Sequence, residues 1–244
     1  MKKHLYDVFA DKWLKDCDSI WLYSDPHFSD LESYKLRFPS YFDPDYFEDG
    51  YDVVTVLDEM QIKNINAKAG KNATIIILGD VGNVECIRKL KARYKVLIMG
   101  NHDKGASNYQ HRIEAVVAAT GQKRVALMNT WDATFLRTHQ QDLSSYKELK
   151  LFDEVYEGPL FINDRLVLSH EPITGYGNIF YNIHGHVHNA EYKGDTTHMN
   201  VCAEAINYKP VNLLSLLKNG LLKNIDNIHR QTIDFATERK AKRK

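Results

Sequence analysis

Five short apolar runs along the chain each end in residues that commonly bind metals, and this repetition constrains the fold more than any other feature. The first four runs are rich in β-branched or aromatic residues, which predicts buried strands. Asp, His or Asn side chains follow each run within a few positions. The five junctions are Ile20-Trp21-Leu22-Tyr23 before Ser24-Asp25-Pro26-His27, Thr74–Leu78 before Gly79-Asp80, Val96–Met99 before Gly100-Asn101-His102-Asp103, Leu166–Leu168 before Ser169-His170-Glu171, and Ile179–Ile183 before His184-Gly185-His186-Val187-His188.

Two stretches between the runs have helical periodicity. Val53–Ala69 and Val84–Tyr94 both place apolar residues at rough helical spacing, and Lys and Arg fill the other face of the second stretch. Strands that alternate with helices indicate an α/β protein. Because ligands of α/β sheets collect at the carboxyl ends of the strands, we expect the polar junctions to converge on one site.

The length of the chain predicts a single domain. With 244 residues the chain is long enough for one sizeable core. We place the single domain over residues 1–237, followed by a basic tail at 238–244. The segment 30–52 is dense in aromatic and acidic residues and is predicted to be a lid-like loop over the first strand end. A polar stretch at 138–148 is predicted to be an insertion.

Charge, hydropathy and cysteine content argue against several classes of protein. Lys plus Arg and Asp plus Glu both number 32, and this zero net charge argues against strong general nucleic-acid binding. No apolar run approaches the roughly 20 residues that span a bilayer, and no signal peptide is predicted. The three cysteines show no C-x-x-C spacing, which argues against a disulfide framework or a thiolate zinc site. A cytoplasmic location is expected.

The polar side chains at the five junctions suit a site with two metal ions. Carboxylate, imidazole and amide ligands together favour borderline divalent metals, of which we expect Mn in vitro, with Fe, Zn, Ni or Co as alternatives. Seven ligands exceed the needs of one ion, and Asp80, at the end of a central strand, is the expected bridge. Two bridged ions suit displacement at phosphorus and turn a shared water into a hydroxide nucleophile. The predicted ligands are Asp25, His27, Asp80, Asn101, His170, His186 and His188.

Three further residues receive predicted roles. His102 follows the ligand Asn101 and must point elsewhere, so it is the candidate to stabilise the transition state or protonate the leaving oxygen. Asp103 is interpreted either as a group that supports the ligands or as a turn residue. Arg37, within the lid-like segment, is interpreted either as a phosphate clamp or as half of a surface ion pair.

Together these motifs resemble the signature of the calcineurin-like metallophosphoesterases, in the family's order and over about 165 residues. The flanking residues resemble a small bacterial and phage branch of predicted phosphoesterases. The motifs are Asp25-Pro26-His27, Gly79-Asp80, Gly100-Asn101-His102-Asp103, His170-Glu171 and Gly185-His186-Val187-His188, and the flanks are Phe38-Pro39, Glu59-Met60, Asn64 and Asn207-Tyr208-Lys209-Pro210.

The resemblance implies a four-layer α/β/β/α sandwich, with His102 as the catalytic histidine. One residue departs from the family pattern: Asn83 stands where many members have a second Asp that can orient that histidine. An amide can hold an imidazole but stabilises an imidazolium less than a carboxylate does, which favours substrates with good leaving groups. The implied ligands are Asp25, His27, Asp80 and His188 for one metal, and Asp80, Asn101, His170 and His186 for the other.

These features predict a metal-dependent phosphoric ester hydrolase, with phosphodiesters preferred over monoesters. The expected partner is a small phosphate ester, with nucleotides, cyclic nucleotides and short nucleic-acid ends as candidates. Two alternatives stay open. A nuclease acting on nucleic-acid ends should have a basic or stacking channel near the site. A non-catalytic metal-binding scaffold of the same fold should have lost ligands, and none is lost here.

Overall fold

The described part of the chain forms two β-sheets with flanking helices. The computed structural model describes residues 19–43, 53–103, 151–156, 158–163, 165–175, 177–190 and 196–225. The helices are α1 (Leu31–Arg37), α2 (Val53–Lys68) and α3 (Leu213–Lys218), with 3-10 helices at Pro39–Phe42 and Val84–Lys89. The strands are β1 (Ile20–Tyr23), β2 (Thr74–Ile77), β3 (Tyr94–Ile98), β4 (Glu154–Tyr156), β5 (Leu160–Asn163), β6 (Leu166–Leu168), β7 (Tyr181–His184), β8 (His198–Asn200) and β9 (Val211–Asn212).

The two sheets are mostly parallel. The first has the strand order β4-β3-β2-β1-β9, in which β9 alone is antiparallel to its neighbour. The second has the order β5-β6-β7-β8, with β5 antiparallel to β6. The predicted strands at the first four apolar runs are therefore confirmed as β1, β2, β3 and β6. Parallel pairing places the carboxyl ends of β1, β2 and β3 at one edge of their sheet, as the convergence of the junctions requires.

Alternate residues of the central strands enter two different cores, which explains why these strands are continuously apolar. Ile75 and Ile77 of β2 pack with Ile62 and Ile65 of α2 on one face of the first sheet. On the other face, Ile76 and the side chains around it pack against Leu166, Leu168 and Ile183 of the second sheet. Helices, first sheet and second sheet thus form three layers of the predicted sandwich. The fourth layer stays a prediction.

The ends of the two sheets are joined at the strand that carries the first motif. Ser24, directly after β1, forms a parallel bridge with Cys202, two residues after the end of β8. The backbone N–H of Ala203 donates to the Ser24 carbonyl at 2.9 Å. This junction brings Asp25 beside residues 202–204, which are far from it in sequence.

The prediction of an irregular loop over 30–52 is wrong for its first part. Asp30 caps α1 by accepting from the Ser33 backbone N–H at 3.2 Å, and Lys35 and Arg37 lie in the last turn. Pro39 follows the end of α1 and begins a 3-10 helix. Aromatic residues dominate this segment because Tyr34 and Phe38 pack towards α2, and their density conceals the helical signal. Residues 44–52 lie outside the described residues.

The helix predicted over Val84–Tyr94 is shorter than expected, whereas the one predicted over Val53–Ala69 is confirmed as α2. The observed element is a 3-10 helix that ends at Lys89, and Tyr94 already belongs to β3. The apolar spacing of Ile87 and Leu90 arises because both side chains enter the core beside α2. The predicted insertion at 138–148 and tail at 238–244 lie outside the described residues. No helix within the described ranges is long and apolar enough to cross a membrane.

Candidate metal centre

The junctions between strands and site are sharp turns with unusual backbone geometry. Five of the predicted ligands have positive φ angles: Asp25 (53°), His27 (45°), Asp80 (51°), His186 (69°) and His188 (52°). A non-glycine residue in this region costs on the order of 1–3 kcal/mol and persists only where the surroundings enforce it. Backbone hydrogen bonds from Asp25 to Gly79 (3.1 Å) and from His27 to Asp80 (3.0 Å) hold two of these turns together. The turns redirect the side chains into one site.

Helix α2 supports the first turn with two buried polar residues. Asp58 accepts hydrogen bonds from the Ser29 backbone N–H (2.8 Å), the Ser29 hydroxyl (2.7 Å) and the Tyr34 hydroxyl (2.5 Å). The Gln61 amide donates to the Pro26 carbonyl at 3.0 Å. These contacts satisfy the buried Pro26 carbonyl and hold the backbone of Ser29, so the strained conformation is anchored on a long helix.

The first group of potential metal ligands consists of Asp25, His27 and His188. One ligand atom from each lies within 4.8 Å of the others. The Oδ2 atom of Asp25 accepts from the Ser24 hydroxyl (2.5 Å), the His186 backbone N–H (2.9 Å) and the Cys202 thiol (3.2 Å). In contrast, Asp25 Oδ1 and His27 Nε2 are buried, have no hydrogen-bond partner within the described part of the chain, and lie 3.9 Å apart. Buried acceptors that lack donors fit a cation.

Three histidines have a neighbouring oxygen at the same ring nitrogen, Nδ1. The Nδ1 atom of His27 lies 3.2 Å from Asp30 Oδ2, that of His170 lies 2.7 Å from the Leu78 carbonyl, and that of His188 lies 3.0 Å from Glu204 Oε1. An Nδ1 proton donated to each acceptor leaves the Nε2 lone pair free to bind a metal ion, and in His27 and His170 the Nε2 atom lies within 4 Å of Asp80 Oδ2. This is the arrangement by which neighbouring groups orient metal-binding histidines.

The second group consists of Asp80, His170 and His186, with Asn101 between the two imidazoles. Asn101 Oδ1 lies 2.8 Å from His170 Nε2 and 3.0 Å from His186 Nδ1. Burial opposes protonation of His170, but the hydrogen bond to Asp80 and the charges of Asp25 and Asp80 outweigh it and raise its pKa to about 9. The converging oxygens and nitrogens thus favour a positive charge at this point, which a divalent cation would supply.

Asp80 belongs to the second group and also lies close to His27 of the first group. Its Oδ2 atom is 3.7 Å from His27 Nε2 and 3.4 Å from His170 Nε2, while Oδ1 accepts from the His102 backbone N–H at 2.9 Å. Burial alone would raise the pKa of Asp80, but the hydrogen bond and charge of His170 lower it below the usual value. Asp80 is therefore held as a carboxylate within 4 Å of a histidine nitrogen from each group.

Asp103 fastens the two backbone segments that carry Asp80 and Asn101. Its Oδ2 atom accepts from the backbone N–H groups of Asp80 and Gly100, both at 2.8 Å, and its Oδ1 atom accepts from Val81 at 3.1 Å. Burial raises the pKa of this carboxyl group. These contacts favour the interpretation of Asp103 as a supporting group.

His102 and Asn83, paired in the sequence argument, are separated in the structure. The His102 side chain is exposed, and its ring centroid lies 5.5 Å from that of His27. Asn83 instead caps the second 3-10 helix, accepting from the Glu85 backbone N–H at 3.1 Å, and donates to the Ser29 hydroxyl at 3.1 Å. Neither hydrogen bond reaches His102, so the argument that Asn83 weakens an acid at His102 does not hold in this structure.

Both interpretations of Arg37 need correction. Its side chain is only 5% exposed, and its Nε atom lies 2.5 Å from Glu204 Oε1. Its two terminal nitrogens lie 3.3 Å from the Pro26 carbonyl and 3.2 Å from His188 Nδ1. Arg37 is therefore half of a buried ion pair, neither a surface pair nor a freely available phosphate clamp.

The sequence argument missed four residues that contact the predicted ligands: Ser24, Asp30, Cys202 and Glu204. Ser24 and Asp30 lie close in sequence to Asp25 and His27, so their positions offered a signal. Cys202 and Glu204 carried none, because they reach the site only through the bridge between β1 and β8. Burial and the nearby Asp25 raise the pKa of the Cys202 thiol, which therefore stays a donor to that carboxylate.

A cavity of about 380 Å³ opens beside the second group of ligands. Asn101 and His170 form the wall nearest the site, with Ser169 and Glu171 next to them. Most of the remaining wall is apolar and consists of Ile98, Met99, Pro159, Pro172 and Ile173, together with Gly100 and Gly158. A cavity of this size holds a small organic group.

Comparison with known proteins identifies the family of the chain. A solved structure of a protein of unknown function from Aquifex aeolicus is 21% identical, with 82% of this chain and 97% of that chain covered and a TM-score of 0.45. No curated protein shows significant sequence similarity to the chain. Residues 19–203, which contain all seven predicted ligands, match the calcineurin-like phosphoesterase family. The chain belongs to the calcineurin-like phosphoesterase family.

Proposed function

We propose that this protein is a dinuclear metal-dependent phosphodiesterase. The observation that carries the proposal is the placement of Asp80 between two groups of converging ligand atoms. The first ion would be held by Asp25, His27, His188 and Asp80. The second would be held by Asp80, Asn101, His170 and His186. Two bound divalent ions supply Lewis acidity that neutralises phosphate oxygens and acidifies water at neutral pH.

The protein's own residues organise the site around this centre. The histidine neighbours Asp30, Leu78 and Glu204 fix which ring nitrogen faces inward, so the ligands need little rearrangement when a substrate arrives. The exposed ring of His102 lies at the open side of the first group, where it can donate a hydrogen bond to a phosphate oxygen or to the leaving oxygen.

Two features support a diester as the substrate. A monoester carries one more negative charge than a diester at neutral pH. The guanidinium of Arg37 is not available to offset that extra charge, because it is already paired with Glu204. The cavity beside Asn101 and His170 offers space and an apolar wall for one organic group of the ester. A small nucleotide-like diester satisfies both conditions, with its phosphate at the centre and one organic group in the cavity.

The first prediction concerns substrate class. With added Mn²⁺ the protein is expected to hydrolyse bis-p-nitrophenyl phosphate with a higher kcat/KM than p-nitrophenyl phosphate, and chelator should remove both activities. A preference for the monoester would contradict the diester proposal. Hydrolysis of DNA or RNA with a steep salt dependence would instead favour the nuclease alternative. A folded protein that binds two ions and hydrolyses neither ester would favour the scaffold.

The second prediction concerns the cavity. Among the described residues, nothing lies within 4 Å of a Cβ atom added at Gly158, which lines the cavity, so we expect Gly158→Leu to add bulk at the cavity wall without disturbing the backbone. We expect KM for aryl diesters to rise about tenfold, because one well-packed apolar contact with the substrate is lost. KM for small diesters such as dimethyl phosphate should change little. Gly70→Leu is the matched control, because Gly70 also has nothing within 4 Å and does not line the cavity. An equal rise for small and large esters would refute the assignment of the cavity.

A further inference from the structure

Glu204 and Arg37 meet at the same nitrogen of His188. Glu204 Oε1 lies 3.0 Å from His188 Nδ1, and a terminal nitrogen of Arg37 lies 3.2 Å from the same atom. Glu204 Oε1 also lies 2.5 Å from Arg37 Nε. The guanidinium is almost fully buried, the Glu204 carboxylate is mostly buried and the His188 ring is partly exposed, so the three side chains form one polar cluster at the edge of the first ligand group.

The two contacts at His188 Nδ1 require opposite tautomers. A carboxylate only accepts, so its hydrogen bond needs a proton on Nδ1 and leaves Nε2 with a lone pair for a metal ion. A guanidinium only donates, so its hydrogen bond needs a lone pair on Nδ1 and places the proton on Nε2. In the second tautomer the Nε2 atom of His188 carries the proton and cannot bind a metal ion.

We propose that Glu204 is a positioning residue that selects the metal-binding tautomer of His188 against the competing hydrogen bond from Arg37. This inference rests on the proposed role of His188 as a ligand of the first ion. The shorter contact to Nδ1 belongs to Glu204, and Glu204 also engages the Nε atom of Arg37. The carboxylate thus offsets a buried positive charge beside a cation site as well as setting the tautomer.

Arg37 extends this control to helix α1. The same guanidinium donates to the Pro26 carbonyl at 3.3 Å, in the turn between the ligands Asp25 and His27. Arg37 is the last residue of α1, so the docking of this helix touches both the turn of the first motif and the histidine of the last motif. The first ion, and not the second, should therefore be sensitive to the loss of Glu204 while Arg37 is present.

The test compares Glu204→Ala, Arg37→Met and the double variant in full-length protein. Calorimetric titration with Mn²⁺ is expected to show that Glu204→Ala binds one of the two ions about 10–100-fold more weakly than the wild-type protein does. The affinity for the other ion should be unchanged. Arg37→Met should stay close to the wild-type protein. The double variant should recover at least part of the loss, because it removes the donor that enforces the wrong tautomer. Glu32→Ala, in the exposed pair with Lys35 on the same helix, is the control and should change neither ion.

Ring nitrogen NMR of metal-free protein gives a readout that depends on neither metal nor activity. At a pH where the ring is neutral, His188 should carry its proton on Nδ1 in the wild-type protein and in Arg37→Met, and on Nε2 in Glu204→Ala. His188→Gln assigns the signal. An Nε2 proton in Arg37→Met would overturn the proposal even if Glu204→Ala failed to fold. Equal metal binding in Glu204→Ala and the double variant would also overturn it, whereas absence of ester hydrolysis would count only against the proposed function.

Discussion

Asp80→Asn is expected to lower kcat by about 10³-fold or more and to reduce bound metal from two ions to one at most. The carboxylate oxygen Oδ2 lies within 4 Å of ligand nitrogens from both groups, at 3.7 Å from His27 and 3.4 Å from His170. An amide of the same shape has no negative charge to share between two ions, and it would direct an N–H group at one of them. The measurements are steady-state kinetics on an aryl diester and metal analysis of the purified variant.

Asp153→Asn provides the control for this substitution. Asp153 also uses a carboxylate oxygen structurally, accepting from the Lys95 backbone N–H at 2.8 Å, but it is not among the residues of the centre. We expect this variant to keep two ions and nearly all activity. Wild-type turnover in Asp80→Asn would rule out a mechanism with a bridge at this position.

Gly100→Ala is expected to lower kcat/KM by about 10²-fold, because it displaces the bridge by a fraction of an ångström to one ångström. A Cβ atom at this position would lie 2.7 Å from the Asp80 backbone nitrogen and closer still to Asp80 Oδ1. Real Cβ atoms do not tolerate such contacts, so Asp80 or the strand end must move. The overpacking should also lower the free energy of unfolding by about 1–3 kcal/mol.

Gly70→Ala separates this effect from the general consequences of replacing a glycine. Nothing lies within 4 Å of a Cβ atom at Gly70. Its free energy of unfolding should stay within about 0.5 kcal/mol of the wild-type value and its kinetics should not change. If Gly100→Ala matched Gly70→Ala in both measurements, the close packing of Gly100 on Asp80 would have no functional importance.

The sequence predicted the central strands and the convergence of their ends because both follow from local patterns. Short β-branched runs specify buried parallel strands, and parallel pairing brings Asp80 and Asn101 to one edge without further information. The structure also explains why a glycine stands at position 100 of the third motif, because a side chain there would collide with Asp80. The expected α2 was found because its apolar spacing persists over 16 residues.

The failures share another cause, which is contact between residues distant in sequence. Arg37 looked available to a phosphate because Glu204, its partner, is 167 positions away and arrives through the bridge between Ser24 and Cys202. Asn83 looked like a partner of His102, yet it is used to cap a 3-10 helix that the pattern had merged into a longer helix. The left-handed φ angles of the ligands are likewise imposed by tertiary hydrogen bonds, so local sequence propensity does not predict them.

The most direct test of a two-metal centre is the dependence of activity on the number of bound ions. Metal-free protein would be titrated with Mn²⁺ while bound metal and hydrolysis of bis-p-nitrophenyl phosphate are measured in the same samples. The two ligand groups predict no activity without metal and a rise that reaches its plateau at two ions per chain. Full activity in the metal-free protein, or a plateau at one ion per chain, would contradict the account.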